Sequence, residues 1–301
     1  MNLAVVILNW NNGPDTVACV RMVQAWDDPA VTVWVIDNAS QDGSAELIAR
    51  ECPGVQLIRS DVNRGFGGGC NLGIAAALPS GCEAVLLLNN DAAFDAHSLN
   101  RLLQTLRSNS RLGIVGPLIR DRERPEMLLS AGGRDISRHL VSHLSQPPSD
   151  QPVYPVDYVP GTVTLIRAGL LREIGLLDEA YFFGGEMVDL CERARQCGYG
   201  AAIDARAVAF HSLERSSDLR ERLHVYYVVR NRLLYIRNNK RGLVRVVWLL
   251  AVWTVYSLGL MVGALARGNP ARARAIWLAL WHAFSGTVGG QNDLVLPSSV
   301  E

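Results

Sequence analysis

The chain has 301 residues, of which 49% are hydrophobic and 19% are charged, and its formal net charge is zero. The absence of a basic excess argues against a nucleic-acid-binding protein, and the high apolar fraction excludes an intrinsically disordered chain. The length suits one large α/β domain, or one domain with an appendage.

The cysteine pattern and the first residues indicate a protein of the cytoplasm. The six cysteines are irregularly spaced and form no Cys-x-x-Cys pair, so we expect reduced and mostly buried thiols. The opening segment MNLAVVILNWNNG has neither a basic start nor a small-residue cleavage site. We interpret it as a buried strand rather than a signal peptide.

Short apolar runs alternate with segments of helical spacing in the first third of the chain. The predicted strands are Leu3–Leu8, Thr32–Asp37, Val55–Arg59 and Ala84–Asn89. The predicted helices are Asp15–Ala25, Ser44–Arg50 and Gly69–Leu78. Strands that are apolar on both faces and alternate with helices predict an α/β fold with a parallel sheet covered by helices.

Polar segments follow each of the four predicted strands. They are NWNN (9–12), DNASQDGS (37–44), SDVNRGFGGG (60–69) and NNDA (89–92). Because ligands bind at the carboxyl ends of strands in such sheets, these segments predict a polar pocket at one sheet edge. The carboxylate of Asp91 suits Mg²⁺ or Mn²⁺ there, although a capping or turn role is equally compatible with these residues alone.

The remainder of the chain divides at two places. Residues 145–155, with the sequence SQPPSDQPVYP, predict a loop, after which strand and helix patterns return up to His211. Residues 246–265 then carry no charge and are long enough to cross a bilayer core, whereas the apolar stretch 275–285 is too short. We therefore expect a domain over 1–240, a membrane-associated helical segment over 241–290 and a tail over 291–301.

Basic residues flank the long apolar segment on both sides. They are Arg230, Arg232, Arg237, Lys240, Arg241 and Arg245 before it, and Arg267, Arg272 and Arg274 after it. The positive-inside tendency therefore gives conflicting signals. A single span, a re-entrant hairpin, two helices in the membrane interface and a buried helix of a soluble domain all stay open.

Five motifs in order resemble those of the family 2 glycosyltransferases with a GT-A fold, in the bacterial rhamnosyltransferase-like branch. They are VVILNWNNGPDTVACVRMV, VIDNASQDGS, NRGFGGGCNLGI, LLLNNDA, and LDEAYFFGGEMVDLCERARQCGY followed by AFH. The resemblance covers about residues 3–235. It implies an inverting, metal-dependent enzyme that moves a sugar from a nucleotide diphosphate donor, dTDP-rhamnose or similar, to a hydroxyl group. The acceptor would be a cell-envelope glycan or a lipid-linked glycan at the cytoplasmic face of the inner membrane, and an oligomer is compatible.

The resemblance also implies roles for single residues. Asp37 would bind the nucleobase, and Asp91 and His211 would hold Mg²⁺ or Mn²⁺, with Asn89 in place of the first aspartate of the family's DxD motif. Arg230 would contact the diphosphate or mark the membrane boundary. The other candidates for nucleotide or sugar binding are Asn9, Asn63, Arg64, Gly67, Asn71 and Asn90. The glycine run follows the third strand and lacks a suitably placed acidic residue, which argues against a dinucleotide fingerprint.

The catalytic base is the position where the sequence departs from the family. An inverting transfer needs a carboxylate to take the acceptor proton, and the family supplies it from a Glu-Asp pair. In the motif GEMVDLC, Met187 replaces that aspartate and cannot accept a proton. Glu186 and Asp189 share one face of a predicted helix. We favour Glu186 as the base, while Asp189 is either an alternative base or a helix N-terminal charge.

Two other functions are compatible with the sequence. Met187 makes a catalytically inactive, nucleotide-sugar-binding subunit of a glycan assembly complex conceivable. A sugar nucleotidyltransferase would use a similar nucleotide-binding sheet. The chain lacks the N-terminal glycine-rich phosphate loop, of the type GxGTR, that such an enzyme needs.

Overall fold

The structure is a computed structural model that describes residues 2–26, 30–212 and 218–296. The strands are β1 (Leu3–Asn9), β2 (Val31–Asp37), β3 (Gln56–Arg59), β4 (Ala84–Asn89), β5 (Ala93–Phe94), β6 (Leu112–Asp121), β7 (Leu128–Ser130), β8 (Val153–Val156), β9 (Val163–Arg167) and β10 (Gly200–His211). The helices are α1 (Gly13–Gln24), α2 (Ser44–Glu51), α3 (Gly65–Ala77), α4 (Ala96–Ser108), α5 (Ala168–Ile174), α6 (Glu186–Gln196), α7 (Asp218–Asn239), α8 (Leu243–Ala266), α9 (Pro270–Ser285) and α10 (Asn292–Val295). Two 3₁₀ turns lie at Leu78–Ser80 and Glu179–Tyr181.

All these strands join one mixed sheet in the order β3-β2-β1-β4-β9-β6-β10-β5, with β7 beside β6 and β8 beside β10. The first four strands are mutually parallel, β9 runs antiparallel to β4 and β6, and β6 is parallel to β10. The predicted α/β fold with a mainly parallel central sheet is therefore confirmed.

The register of the sheet brings the polar strand ends together. Asn9 at the end of β1 is opposite Asp37 at the end of β2, and Leu8 is opposite Asn89 of β4. The three strands therefore finish at the same edge. This alignment confirms the expectation that the polar segments after the strands share one region of the sheet.

Strand β4 shows why the apolar runs are continuous. Leu86 and Leu88 belong to the hydrophobic cluster on one face of the sheet, whereas Val85 and Leu87 belong to the cluster on the other face. Successive side chains of a strand point to opposite faces. A strand covered by helices on both faces must therefore be apolar at every position until it reaches the polar edge.

The observed elements differ from the predicted ones in small ways. Helix α1 begins at Gly13, before the predicted start, because a proline is accommodated in its first turn. Helix α3 begins at Gly65, since the glycine run forms helix rather than loop. Within the loop predicted over 145–155, residues from Val153 onward form β8, which pairs antiparallel with β10. All six cysteines are free and all but Cys197 are buried, as expected.

The C-terminal helices form a third hydrophobic cluster of their own. It combines residues of α7, α8, α9 and α10, such as Tyr227, Trp253 and Ile276. Within the described residues, α8 is the one helix long and apolar enough to cross a membrane, and 17% of its most apolar window is buried. Most of this apolar helix thus faces away from the protein.

Replacing Gly73 tests how closely α3 approaches the sheet. A Cβ atom at Gly73 would lie 2.5 Å from Cδ1 of Ile36 and 2.7 Å from Cγ1 of Val6, both core side chains. We expect Gly73→Ala to lower the free energy of unfolding by about 1–3 kcal/mol through overpacking. Gly169→Ala is the control, because an added Cβ there meets nothing within 4 Å. Urea denaturation measures both, and equal stabilities of the two variants would contradict the close approach.

Candidate active site

A buried hydrogen-bond chain organises the ends of β1, β2 and β4. Nδ2 of Asn9 donates to Oδ1 of Asp37 at 2.8 Å and to Oγ of Ser40 at 3.0 Å, while Oδ1 of Asn9 accepts from Oγ1 of Thr16 at 2.7 Å. Nδ2 of Asn90 in turn donates to Oγ1 of Thr16 at 2.9 Å. Three predicted binding residues, Asn9, Asp37 and Asn90, thus lie in one network. Asn9 and Asp37 are both buried in it.

The glycine-rich turn after β3 is held by Asn38, a residue that the sequence analysis did not single out. Its Nδ2 donates to Oδ1 of Asn63 at 3.0 Å and to the carbonyl of Gly65 at 3.1 Å, and its Oδ1 accepts from the amide of Arg64 at 2.9 Å. Asn63 and Arg64 therefore belong to one fixed turn, and the side chain of Arg64 is exposed. The sequence feature that could have indicated a role for Asn38 is its position directly after Asp37 in the motif DNAS.

Two further candidates of this region have buried positions in α3. Asn71 is hydrogen-bonded through both side-chain atoms to the backbone of Leu177, and its Nδ2 also donates to Glu179 at 3.0 Å. A Cβ at Gly67 would lie 3.6 Å from the Cβ of Glu186. Asn71 and Gly67 therefore bring α3 next to the start of α6 and the segment that precedes it. Their predicted contact with nucleotide or sugar stays a prediction.

Strand pairing brings Asp91 and His211 into contact. Strand β5 runs antiparallel to β10 with Ala93 opposite Phe210, so the residue after Phe210 reaches the segment that precedes β5. Nε2 of His211 lies 3.2 Å from Oδ1 of Asp91, and both side chains are about one-fifth exposed (20% and 19%). Asn89 lies two residues before Asp91, and its backbone N–H donates to the carbonyl of Thr162 at 2.9 Å.

The Asp91–His211 pair fits a hard divalent cation that completes its shell elsewhere. Among residues 2–26, 30–212 and 218–296, no group of three or more His, Cys, Asp or Glu side chains is arranged to hold a metal ion. Mg²⁺ and Mn²⁺ sites in phosphate-binding enzymes often use one or two protein ligands, with phosphate oxygens and water supplying the rest. A carboxylate and an imidazole that reach solvent together are compatible with such a site.

A second carboxylate contributes negative charge near Asp91. Burial, then the charge of Asp91 and then that of Asp15, together raise the pKa of the Cys19 thiol to about 12. Both carboxylates must therefore lie near the same thiol. Asp15 is in the first turn of α1, and its carboxylate accepts a hydrogen bond from Asn12 at 2.9 Å. The helical spacing of the sequence predicted Asp15 only as the first residue of a helix, without a role at the site.

Glu186 is a buried carboxyl group at the first position of α6. Its side chain is 6% exposed, and Oε2 has no hydrogen-bond partner among the described residues. Burial raises its pKa from 4.5 to about 7, although hydrogen bonds from the backbone of Glu186 and Gly184 act in the opposite direction. A carboxyl group that ionises near neutral pH and has an unpartnered oxygen is suited to accept a proton.

Asp189 shares the first turn of α6 with Glu186, as predicted, but its carboxylate is fully engaged. Oδ2 accepts from Nε of Arg193 at 2.7 Å, and Oδ1 accepts from Nδ2 of Asn239 at 2.8 Å and from the hydroxyl of Tyr181 at 3.4 Å. These contacts tie α6 to α7. Met187, between the two acids, is buried against Gly161, where an added Cβ would lie 3.3 Å from its Cγ.

Arg230 and Asn231 of α7 bind the backbone of the turn that precedes α6. The guanidinium of Arg230 donates to the carbonyls of Ala180 at 3.0 Å and Tyr181 at 2.8 Å, and to that of Gly289 at 2.6 Å. Nδ2 of Asn231 donates to the carbonyls of Tyr181, Phe183 and Gly184. Arg230 is 1% exposed. The structure thus places Arg230 on this turn, and its predicted contact with a diphosphate stays a prediction.

Comparisons with known proteins identify the class of enzyme. Residues 4–130 match the family model described as "Glycosyl transferase family 2". The chain is 26% identical over 246 residues to N-acetylglucosaminyl-diphospho-decaprenol L-rhamnosyltransferase of Mycobacterium tuberculosis, covering 71% of this chain and 77% of that protein. It is 26% identical over 242 residues to the low-salt glycan biosynthesis hexosyltransferase Agl10 of Haloferax volcanii, covering 77% of this chain and 75% of that one.

Solved structures show the same fold. The mannosyltransferase PcManGT of Pyrobaculum calidifontis, in complex with GDP-Man and Mn²⁺, superposes with a TM-score of 0.60 at 14% identity, covering 95% of this chain and 88% of that one. S. aureus TarS 1–349, in complex with UDP-GlcNAc, gives 0.59 at 14% identity, covering 98% and 84%. The chain is a glycosyltransferase with the GT-A fold. The match of residues 4–130 to the family 2 model and the glycosyltransferase relatives agree with the resemblance that its motifs predicted.

The raised pKa of Glu186 makes stability depend on pH. The folded protein keeps this carboxyl protonated up to about pH 7, whereas the unfolded chain ionises it near the ordinary value of 4.5. Folding therefore binds a proton between these pH values, and the free energy of unfolding falls by about 3 kcal/mol as pH rises through this window. In Glu186→Gln this contribution should disappear.

Urea denaturation between pH 4.5 and 8 measures the effect of Glu186. The exposed Glu123→Gln variant, in the loop after β6, is the matched control and should keep the wild-type dependence. If the wild type and Glu186→Gln show the same change in stability across this range, Glu186 does not have the environment described here.

Arg230→Lys tests the contacts of α7 with the turn. Lysine offers one ammonium group in place of a planar guanidinium, so it cannot reach three carbonyls at once. We expect the free energy of unfolding to fall by about 2–4 kcal/mol, because buried carbonyl groups lose their donors. Arg237→Lys is the control, since Arg237 is exposed and donates to the carbonyl of Ala283 at 3.1 Å. Equal losses in the two variants would contradict the special position of Arg230.

Proposed function

We propose that this family 2 enzyme is an inverting, metal-dependent glycosyltransferase that moves a sugar from a nucleotide diphosphate donor to a hydroxyl group of a glycan acceptor. The observation that carries the proposal is the buried carboxyl of Glu186 beside Gly67 of α3, with its Oε2 unpartnered among the described residues and its pKa raised to about 7. The Asp91–His211 pair at the carboxyl end of the same sheet supports a diphosphate site.

The donor would lie along the polar strand ends. Asp37, at the end of β2, offers a carboxylate that can accept an imide N–H of a pyrimidine base. Arg64 is exposed in the turn after β3 and can pair with a phosphate. Asn9, Asn38 and Asn63 hold these two segments in place through the hydrogen bonds described above. Donor binding would therefore need little rearrangement of the strand ends.

Asp91 and His211 would hold Mg²⁺ or Mn²⁺. The bound cation would neutralise charge on the leaving diphosphate, as divalent ions do in phosphoryl and glycosyl chemistry. PcManGT is described in complex with Mn²⁺, which agrees with a divalent cation in this fold. Asn89 contributes an amide where a second carboxylate would add negative charge, so Asp91 carries the negative charge of the motif NND.

Glu186 would act as the base. Its carboxylate takes the proton of the acceptor hydroxyl while that oxygen attacks the anomeric carbon from the face opposite the diphosphate. The bond between the anomeric carbon and the diphosphate oxygen breaks, and the electron pair leaves with the nucleotide diphosphate. Asp189 is a poorer candidate, because its two oxygens already accept hydrogen bonds from Arg193, Asn239 and Tyr181.

The relatives suggest a donor and an acceptor. The Mycobacterium tuberculosis relative is named as an L-rhamnosyltransferase that acts on a decaprenol-linked N-acetylglucosaminyl diphosphate. We propose dTDP-rhamnose or a similar donor and a lipid-linked or cell-envelope glycan acceptor for the present enzyme. Such an acceptor would place the enzyme at the cytoplasmic face of the inner membrane, and the apolar helix α8 supports attachment to that membrane.

Donor turnover tests the proposed activity. Protein purified in detergent would be incubated with a panel of nucleotide sugars, Mg²⁺ or Mn²⁺ and a lipid extract. We expect one donor to turn over, with a rate that rises with pH towards about 7 as Glu186 ionises. Asp91→Ala should abolish turnover, and Glu186→Gln should lower the transfer rate by about a hundredfold or more.

Glu123→Gln is again the matched control and should keep the wild-type rate. Metal-dependent nucleotide binding without turnover of any donor would contradict the enzymatic proposal. That outcome would favour a nucleotide-sugar-binding subunit. The sequence feature that supports such a subunit is Met187, which stands where the family has an aspartate. Pyrophosphate release from a sugar phosphate and a nucleoside triphosphate would instead indicate a nucleotidyltransferase.

A further inference from the structure

Helix α8 has one buried stripe and a broad exposed apolar surface. Leu249, Trp253, Ser257 and Ala264 face the protein. The exposed side includes Val244, Val247, Trp248, Val255, Val262 and Leu265, each more than half exposed. Large exposed apolar patches on proteins are usually sites where a membrane or another molecule binds.

Helix α9, which packs against α8, carries exposed aromatic residues of its own. Trp277, Trp281 and Phe284 are spaced four and three residues apart, lie on one helix face and are each more than half exposed. Ile276 and Ala279 on the other face are fully buried. Tryptophan is enriched where a membrane meets water, because its ring is amphipathic.

Charge favours a lipid surface over a second copy of the chain. Residues 241–290 contain five arginines and no aspartate or glutamate. Arg241, Arg245, Arg267 and Arg274 are exposed at the two ends of the apolar surface. In a symmetric dimer these arginines would meet arginines of the same patch. Anionic lipid headgroups would neutralise them while the apolar side chains enter the hydrocarbon.

The middle of α8 is fixed to the globular part of the protein. Nε1 of Trp253 donates to the carbonyl of Ser137 at 2.8 Å, and the guanidinium carbon of Arg232 lies 3.9 Å from the centre of a Trp253 ring. Nη2 of Arg232 also donates to the carbonyls of His139 and Leu140, at 3.4 and 3.3 Å. The loop around Ser137 therefore lies beside the centre of the helix.

This attachment is incompatible with a helix that crosses the bilayer. A helix of 24 residues is about 36 Å long, so Trp253 lies near its midpoint and would be at the bilayer centre. Arg232 and an irregular loop would then sit in the hydrocarbon core. Both are strongly disfavoured there, because a charge and unpaired backbone groups lose their hydration.

We propose that α8 and α9 lie in the plane of an anionic membrane surface and bind it through one shared face, without crossing the bilayer. This inference rests on the proposed membrane attachment and specifies its geometry. The residues that bind lipid are those of the exposed face, and Trp277 and Trp281 contribute the aromatic anchors. The loop between α8 and α9 then stays on the same side of the membrane as the rest of the enzyme.

Cysteine labelling distinguishes the two geometries. Cys197 is exposed on the globular part, whereas the other five cysteines are buried. A membrane-impermeant maleimide should therefore react with Cys197 alone in the wild type. Arg267→Cys in a Cys197→Ser background places one accessible thiol between α8 and α9. In sealed inside-out membrane vesicles, both thiols should react from the same side. Reaction of the two thiols from opposite sides would overturn the in-plane arrangement.

Vesicle binding tests the anchors and the lipid charge. The double variant Trp277→Ser, Trp281→Ser should lower affinity for vesicles of mixed phosphatidylcholine and phosphatidylglycerol by about tenfold or more. Wild-type binding should weaken on pure phosphatidylcholine. Trp10→Ser is the control, since Trp10 is an exposed tryptophan that follows β1 and lies outside α8 and α9.

Donor turnover in detergent separates this inference from the proposed activity. The double tryptophan variant should keep the wild-type turnover, because neither residue lies in the candidate site. Loss of vesicle binding with normal turnover supports the in-plane surface. If the protein without detergent binds neither type of vesicle and forms a dimer, the in-plane membrane arrangement is wrong. The apolar surface would then be covered by a second copy of the chain. Absence of turnover in the wild type would count against the proposed activity alone.

Discussion

The structure depends most on the backbone turn from Ala180 to Gly184. Its carbonyls accept hydrogen bonds from Arg230 and Asn231 on one side, and the carbonyl of Phe182 accepts from the amide of Phe66 at 2.7 Å on the other. Phe182 has a φ of 62°, a left-handed conformation that costs about 1–3 kcal/mol for such a side chain. The turn persists because donors from α3 and α7 hold its carbonyls. It therefore joins the glycine-rich turn, α6 and the C-terminal helices.

The environment of Glu186 follows from this turn. The turn precedes Glu186, which lies in a buried position beside Gly67. Burial, rather than a neighbouring charge, is the main reason for the raised pKa of Glu186. An aspartate in place of Met187 would put another carboxylate next to it in a buried cluster. Two adjacent buried carboxylates disfavour each other's ionisation. Met187 removes that conflict, and the carboxylate of the neighbouring Asp189 forms an ion pair with Arg193 at 2.7 Å.

The sequence predicted the sheet well because strand patterns are local. Apolar runs and the polar residues after them gave the four parallel strands and the edge where they finish, and the register of Asn9 with Asp37 agrees. It could not separate polar residues that face a ligand from those that hold the fold. Asn71 binds Leu177, 106 positions away, and Arg230 binds Gly289, 59 positions away. Such partners depend on the folded chain, and no local pattern reveals them.

The C-terminal helices link the proposed membrane surface to the candidate site. On the inner face of α9, Nδ1 of His282 lies 2.6 Å from the hydroxyl of Tyr226, and Arg230 donates to the same hydroxyl at 3.4 Å. Arg230 then holds the turn that precedes Glu186. Tyr226 and Arg230 thus connect α9 with the turn that precedes the proposed base. Because α9 carries Trp281 next to His282, a membrane that fixes α9 also fixes the distance between the bilayer surface and the carboxyl group that would meet a lipid-linked hydroxyl.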